Sequence, residues 1–164
     1  MEGEFNRAGV SGEQLTEYVD WASVFTKGNN LANAGKHTEA LDNYELAASM
    51  RPGHALTWNN IGVAKLCLGE FEQAIPHFSK AIDLDPKYKD AFHNRGLAYS
   101  DIGELEKAFN DLTEAIKLDS QYWSAYRHRS IVNQMLGRDS ESYEDFIRAK
   151  KLETKLYTEP DTKH

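Results

Sequence analysis

Residues 55–88, ALTWNNIGVAKLCLGEFEQAIPHFSKAIDLDPKY, return in outline before and after themselves at a fixed interval. Pro52, Pro86 and Ser120 stand 34 apart. Gly28, Gly62, Gly96 and Ser130 keep the same spacing, as do Gly35, Gly69, Gly103 and Gly137. Three further rows are Ala40, Ala74, Ala108 and Ser142; Tyr44, Phe78, Leu112 and Phe146; and Ala47, Ala81, Ala115 and Ala149. A period of this length marks a stack of supersecondary units, each of which buries its apolar face only against its neighbours.

Within one unit, apolar residues recur three and four apart on both sides of the second glycine, as Ala74, Phe78, Ala81 and Ile82 do, which predicts two helices of about fourteen residues. Gly35, Gly69, Gly103 and Gly137 fall between the two helices, where a left-handed backbone costs least without a β-carbon. Small residues at 28, 62, 96 and 130 face those at 40, 74, 108 and 142. Paired helices then approach closely while Phe78 or Phe146 fills the space beside them.

Trp58, Ile61, Gly62, Ala74, Phe78, Ala81 and Pro86 together resemble the tetratricopeptide repeat family. The resemblance implies an all-α fold, a right-handed superhelical α-solenoid of antiparallel helix pairs. Repeats are placed at 21–54, 55–88, 89–122 and 123–156, forming a single domain over 11–156. The fourth departs most, with Ser130, Ser142 and Thr154 where glycine, alanine and proline are usual. Ser11 and Gln14 make a capping box, so an N-terminal helical extension over 11–20 is expected to run through Leu15, Tyr18, Val19 and Ala22 into the first repeat helix. Residues 1–10 are expected to be disordered, and 157–164 to form a C-terminal tail. Pro76 is read as structural, close enough to the start of its helix to disturb only the first bonds.

A formal net charge of −7 disfavours a grip on phosphate backbones or anionic lipid, so neither nucleic acid nor membrane insertion is expected. No segment approaches the roughly twenty apolar residues of a membrane span. The first ten residues lack the basic-then-apolar order of a secretion signal. Cys67 is the only cysteine, which excludes an internal disulfide and fits a reducing, cytoplasmic setting.

No catalytic constellation stands out, and the expected answer to enzyme activity is no. The six histidines include no pair four apart on one helix, so no metal and no cofactor is expected. His93 and His128 occupy neighbouring phases of consecutive repeats and read either as groove lining or as a ligand pair, the former being preferred. The glycines follow the repeat period and do not make a phosphate loop. Cys67, between Leu66 and Leu68, reads as a buried, inert thiol.

In the resembled family the first helix of each repeat lines the concave face. The resemblance therefore implies a peptide-binding groove made by Asn29, Asn33, Asn59, Asn60, Val63, His93, Asn94, Leu97, Arg127, His128 and Ile131. Asn60, Asn94 and His128 are 34 apart and are expected to form a ladder along it. Stacked amides suit a peptide backbone, which offers one donor and one acceptor per residue. The alternative is that Asn60 and Asn94 simply fill solvated helix positions. Carboxylate-clamp members of the family hold an acidic C-terminus with two lysines, an arginine and two asparagines. Asn29 and Asn60 match the asparagines, but Phe25, Asp90 and Asn94 stand at the cationic positions, so the clamp is not expected.

Charge is uneven: residues 89–122 carry four Lys plus Arg against seven acids, and residues 123–156 seven against five. Arg127, His128 and Arg129, beside Tyr122, Trp123 and Tyr126, form a basic aromatic cluster that suits an acidic peptide, or else reflect packing by consensus aromatics. The leading reading is an adaptor or scaffold that binds a linear peptide segment of another protein. One alternative is a self-assembling scaffold that uses its repeat ends. It includes a weak homo-oligomer through the outer face of the last helix, at Ile147, Leu152 and Leu156. A small-ligand sensor or unrecognised enzyme is the other.

Overall fold

The structure, a computed structural model, describes residues 20–158, with side chains to Lys155. Among the described residues there are eight α-helices and no strand. In chain order they are α1 Trp21–Asn33, α2 His37–Met50, α3 Ala55–Cys67, α4 Phe71–Leu84, α5 Lys89–Asp101, α6 Leu105–Leu118, α7 Trp123–Met135 and α8 Asp139–Thr158. Consecutive helices pack on one another, and α5 also touches α3 and α7, so the first helices of the pairs form one wall of the stack and the second helices the other.

The turn inside each pair is the same device four times. Gly35, Gly69, Gly103 and Gly137 take φ of 75°, 77°, 79° and 75°, values that other residues adopt only with strain. The amide of Gly35 donates to the carbonyl of Ala32, and that of Lys36 reaches back to Leu31. Glu70, Glu104 and Arg138 make the corresponding bonds to Lys65, Tyr99 and Asn133. This reversal satisfies carbonyls that a helix end would leave orphaned. Between pairs, the Asp85 and Asp119 carboxylates accept from the amides of Lys87 and Gln121, closing equivalent loops.

Close approach of paired helices requires the small residues. A β-carbon on Gly62 would stand 2.6 Å from the ring of Phe78, and one on Gly28 would stand 2.7 Å from that of Tyr44. Ala40, Ala74, Ala108, Ala47, Ala81 and Ala115 are fully buried opposite them. Pro76 lies at the sixth residue of α4 without ending the helix.

Four expectations need correction. Asp20 is extended, and its carboxylate caps α1 by accepting from the Ser23 amide at 3.1 Å, so α1 starts at Trp21 and no helix runs through from Ser11. The rest of the expected extension and of the N-terminus lies outside the described residues. Helix α8 continues to Thr158, beyond the boundary drawn at 156, and the remainder of the expected tail is also outside. Phe146 does not fill the space beside Ser130: it is exposed, because no described helix packs over α8 as α7 packs over Leu112. Leu152, expected on the outer face, is buried, while Ile147 is exposed; the side chain of Leu156 lies outside the described residues.

Candidate functional site

The residues expected from the sequence to line a groove lie on the first helices α1, α3, α5 and α7, and hydrogen bonds link several of them. The links form a chain of side-chain amides. Asn29 Oδ1 accepts twice, from the Tyr44 hydroxyl at 2.9 Å and from Asn60 Nδ2 at 3.2 Å. Asn59 Nδ2 donates to Asn60 Oδ1 at 3.4 Å, and Asn59 Oδ1 accepts from Asn94 Nδ2 at 3.1 Å. Four asparagines from three repeats are thereby linked. Each amide carries two donors and an acceptor with two lone pairs, so the linkage orients them and leaves capacity for a ligand.

The expected ladder differs in one respect. Asn60 does not hydrogen-bond Asn94, because the bonds between neighbouring repeats join residues 35 or 31 apart in sequence, as for Asn94 with Asn59, His128 with His93 and Asn60 with Asn29. The period assigns residues to phases, but the rotation of each repeat on the last shifts which phases touch. Asn59 and His93 are 5% and 6% exposed; they hold Asn60, Asn94 and His128 from beneath and are too buried to line a groove.

Toward the C-terminal end, His93 Nε2 and His128 Nδ1 are 2.9 Å apart and share a hydrogen bond, with Ser124 Oγ 3.3 Å from His93. Burial, and then the neighbouring His128, push His93 down to about 4. Burial also lowers His128. Both imidazoles are neutral at pH 7. Among the described residues no group of three or more His, Cys, Asp or Glu lies close enough to hold a metal ion.

At the other end, Asn29, Ala32, Asn33, His37, Tyr44, Asn60, Val63 and Ala64 line a cavity of ≈ 410 Å³. Val63 and Leu97 are half-buried between the polar residues, and Asn33, Arg127 and Ile131 are exposed. Tyr44 joins this lining although its row in the sequence reads as packing; it is the one member of that row with a hydroxyl, which it donates to Asn29.

The basic aromatic cluster expected at 122–129 is divided. Successive helical residues point about 100° apart. Arg127 is exposed, His128 joins His93, and Arg129 turns inward. Arg129 Nε and Nη2 donate to the two oxygens of Asp145 at 2.8 and 2.7 Å, and its Nη1 donates to Thr113. Arg95 repeats this one unit earlier, with Asp111 and Ser79. Neither guanidinium is free to hold a ligand. Cys67, expected to be buried, is exposed. Its phase-mates Asn33, Asp101 and Met135 are exposed too, and the polar character of two of them could have indicated it. No helix among the described residues is long and apolar enough to cross a membrane.

Tetratricopeptide repeat models match residues 55–88 and 77–110. No curated protein sequence matches the chain. Among solved structures, a crystal structure of MamA superposes with a TM-score of 0.79 at 22% identity, covering 85% of this chain and 82% of that one. MamA 41-end from Desulfovibrio magneticus RS-1 gives 0.77 at 24% identity, over 83% and 77%. The first TPR of Spaghetti (RPAP3), bound to the HSP90 peptide SRMEEVD, gives 0.70 at 26% identity, over 74% and 98%.

Proposed function

Because this chain is built of tetratricopeptide repeats and is a protein-interaction module, we propose that it binds an extended segment of a partner protein along the face made by α1, α3, α5 and α7. The binding unit is the array of repeats 21–54, 55–88, 89–122 and 123–156. The observation that carries the proposal is the linked row Asn29, Asn60, Asn59 and Asn94. Amides held in register offer donors and acceptors at intervals along a stretched backbone, giving affinity with loose sequence specificity. That a structural neighbour was solved with a peptide supports this mode of use.

The chemistry of the segment differs from an acid-ended one. Asn29 and Asn60 are in place, but Phe25, Asp90 and Asn94 supply no cation, and Phe25 is stacked on Trp21 at 5.1 Å between centroids. A carboxylate brought here would lack a charge-assisted partner and would meet Asp90. The favoured segment is uncharged or basic, read through its backbone, with apolar side chains against Val63, Leu97 and Ile131. A reducing cytoplasmic setting fits the lone, exposed thiol of Cys67.

Photo-crosslinking from the full chain tests this. A crosslinker placed at Asn33 or Ile131, both exposed on the groove helices, should capture one partner through a single continuous segment. The same crosslinker at Lys80, exposed on α4, should not. Equal capture from Lys80, or a discontinuous footprint on the partner, would overturn the reading.

A further inference from the structure

We propose that a second copy of this chain docks on the outer face of α8, antiparallel to it, about a two-fold axis near Ile147. A single turn of this face exposes three large side chains together. Tyr143, Phe146 and Ile147, one turn of α8, are all exposed, Tyr143 by 67% and Phe146 by 42%. The residues one repeat earlier show what such positions normally meet. Leu112, in phase with Phe146, is completely buried, and Phe109, in phase with Tyr143, packs on the core beneath the guanidinium of Arg129.

The occupant is not a repeat that carries an arginine in the phase of Arg95 and Arg129. Ser79 and Thr113 present hydroxyls that accept from Arg95 and Arg129 of the following repeat. Ile147 stands in that phase and has nothing to offer an arginine. Nor does the opposite end of the stack fit it. The α1 residues in phase with the receiving positions Thr57, Ile61 and Ala64 are Ser23, Lys27 and Asn30, all exposed and polar. Head-to-tail stacking would bury Lys27 against Ile147 without a counter-charge, at a desolvation cost.

The same face turned on itself has no such mismatch. On the Ile147 side of α8 the charge divides: Asp139 and Glu144 precede Ile147 and Lys150 and Lys151 follow it, all four exposed, while Glu141 and Glu153, each six residues away, lie about 120° around the helix. None of them forms an ion pair among the described residues. An antiparallel pairing centred near Ile147 sets Glu144 of one copy against Lys150 of the other, twice, around a shared apolar centre. A parallel pairing would oppose like charges. Self-complementarity of one patch is what a two-fold contact requires.

Sedimentation velocity on the full chain tests the proposal with two charge-reversed variants, Asp139→Lys with Glu144→Lys, and Lys150→Glu with Lys151→Glu. Wild type should dimerise at high micromolar concentration. Each variant alone should dimerise more than about tenfold more weakly, because like charges then face each other. An equimolar mixture of the two should recover the dimer, since each half of one α8 again meets its opposite. Thermal melts matching wild type show that the variants are folded. The proposal fails if wild type stays monomeric, which would leave the face to a foreign helix or to another segment of this chain. It fails equally if both variants dimerise normally, or if the mixture remains monomeric.

Discussion

His93 Nε2 lies 2.9 Å from His128 Nδ1, so two imidazoles from successive repeats, on α5 and α7, share one hydrogen bond. Burial holds His93 near 4 against an ordinary 6.5, so between those values the unfolded chain binds a proton that the folded chain refuses. Stability contributed by neutral His93 is therefore complete above pH 6.5 and falls as pH drops toward 4. Melting temperature measured from pH 7 to 4.5 should decline, and His93→Asn, the residue that repeat two carries in this phase, should flatten the decline. Some slope should persist, because burial also lowers His54, His77 and His128.

Gly62 faces the ring of Phe78, which is completely buried and has no room to retreat. Gly62→Leu should destabilise by about 3 kcal/mol, the upper part of the overpacking range. Gly96 faces the more adaptable Leu112, whose Cγ would lie 3.0 Å from an added β-carbon. Gly96→Ala should therefore cost less than Gly62→Ala in urea denaturation; the reverse order would show that these contacts do not set the spacing of the helices.

Asp145 is, among the described residues, the only carboxylate bonded to Arg129 and also accepts from Asn133, with little of either charged side chain exposed. Asp145→Ala strands that guanidinium and should cost about 3 kcal/mol in chemical denaturation. Glu114→Ala breaks the exposed pair with Lys117 and should change stability by less than about 1 kcal/mol. Comparable losses from the two would mean that Arg129 finds another partner.

Much of this was legible in the sequence. The 34-residue rows of glycine and alanine placed the turns and the close contacts, since a glycine in phase with a large residue opposite leaves few ways to pack Gly62 with Phe78. What the rows could not carry was the rotation between repeats. Rotation decides that Asn94 bonds to Asn59 and not to Asn60. Helical angle was the second loss: Arg127, His128 and Arg129 are consecutive in sequence but face solvent, His93 and Asp145 respectively. Phe146 illustrates a third. Its row predicts burial, yet burial depends on a neighbour that its own repeat does not supply.

The groove itself is tested by calorimetry with a synthetic peptide covering the crosslinked segment of the partner, titrated into wild type, Asn60→Ala, Asn94→Ala, the double variant and Phe146→Glu. Each asparagine change should weaken binding by about 0.5 to 1.5 kcal/mol, the net value of a hydrogen bond exchanged with water. Because both amides also connect to Asn59 or Asn29, the double variant should show coupling in the cycle and a small loss in melting temperature. Phe146→Glu, on the far face of α8, should leave affinity unchanged. Full affinity in a folded double variant would remove the amide row as the binding element.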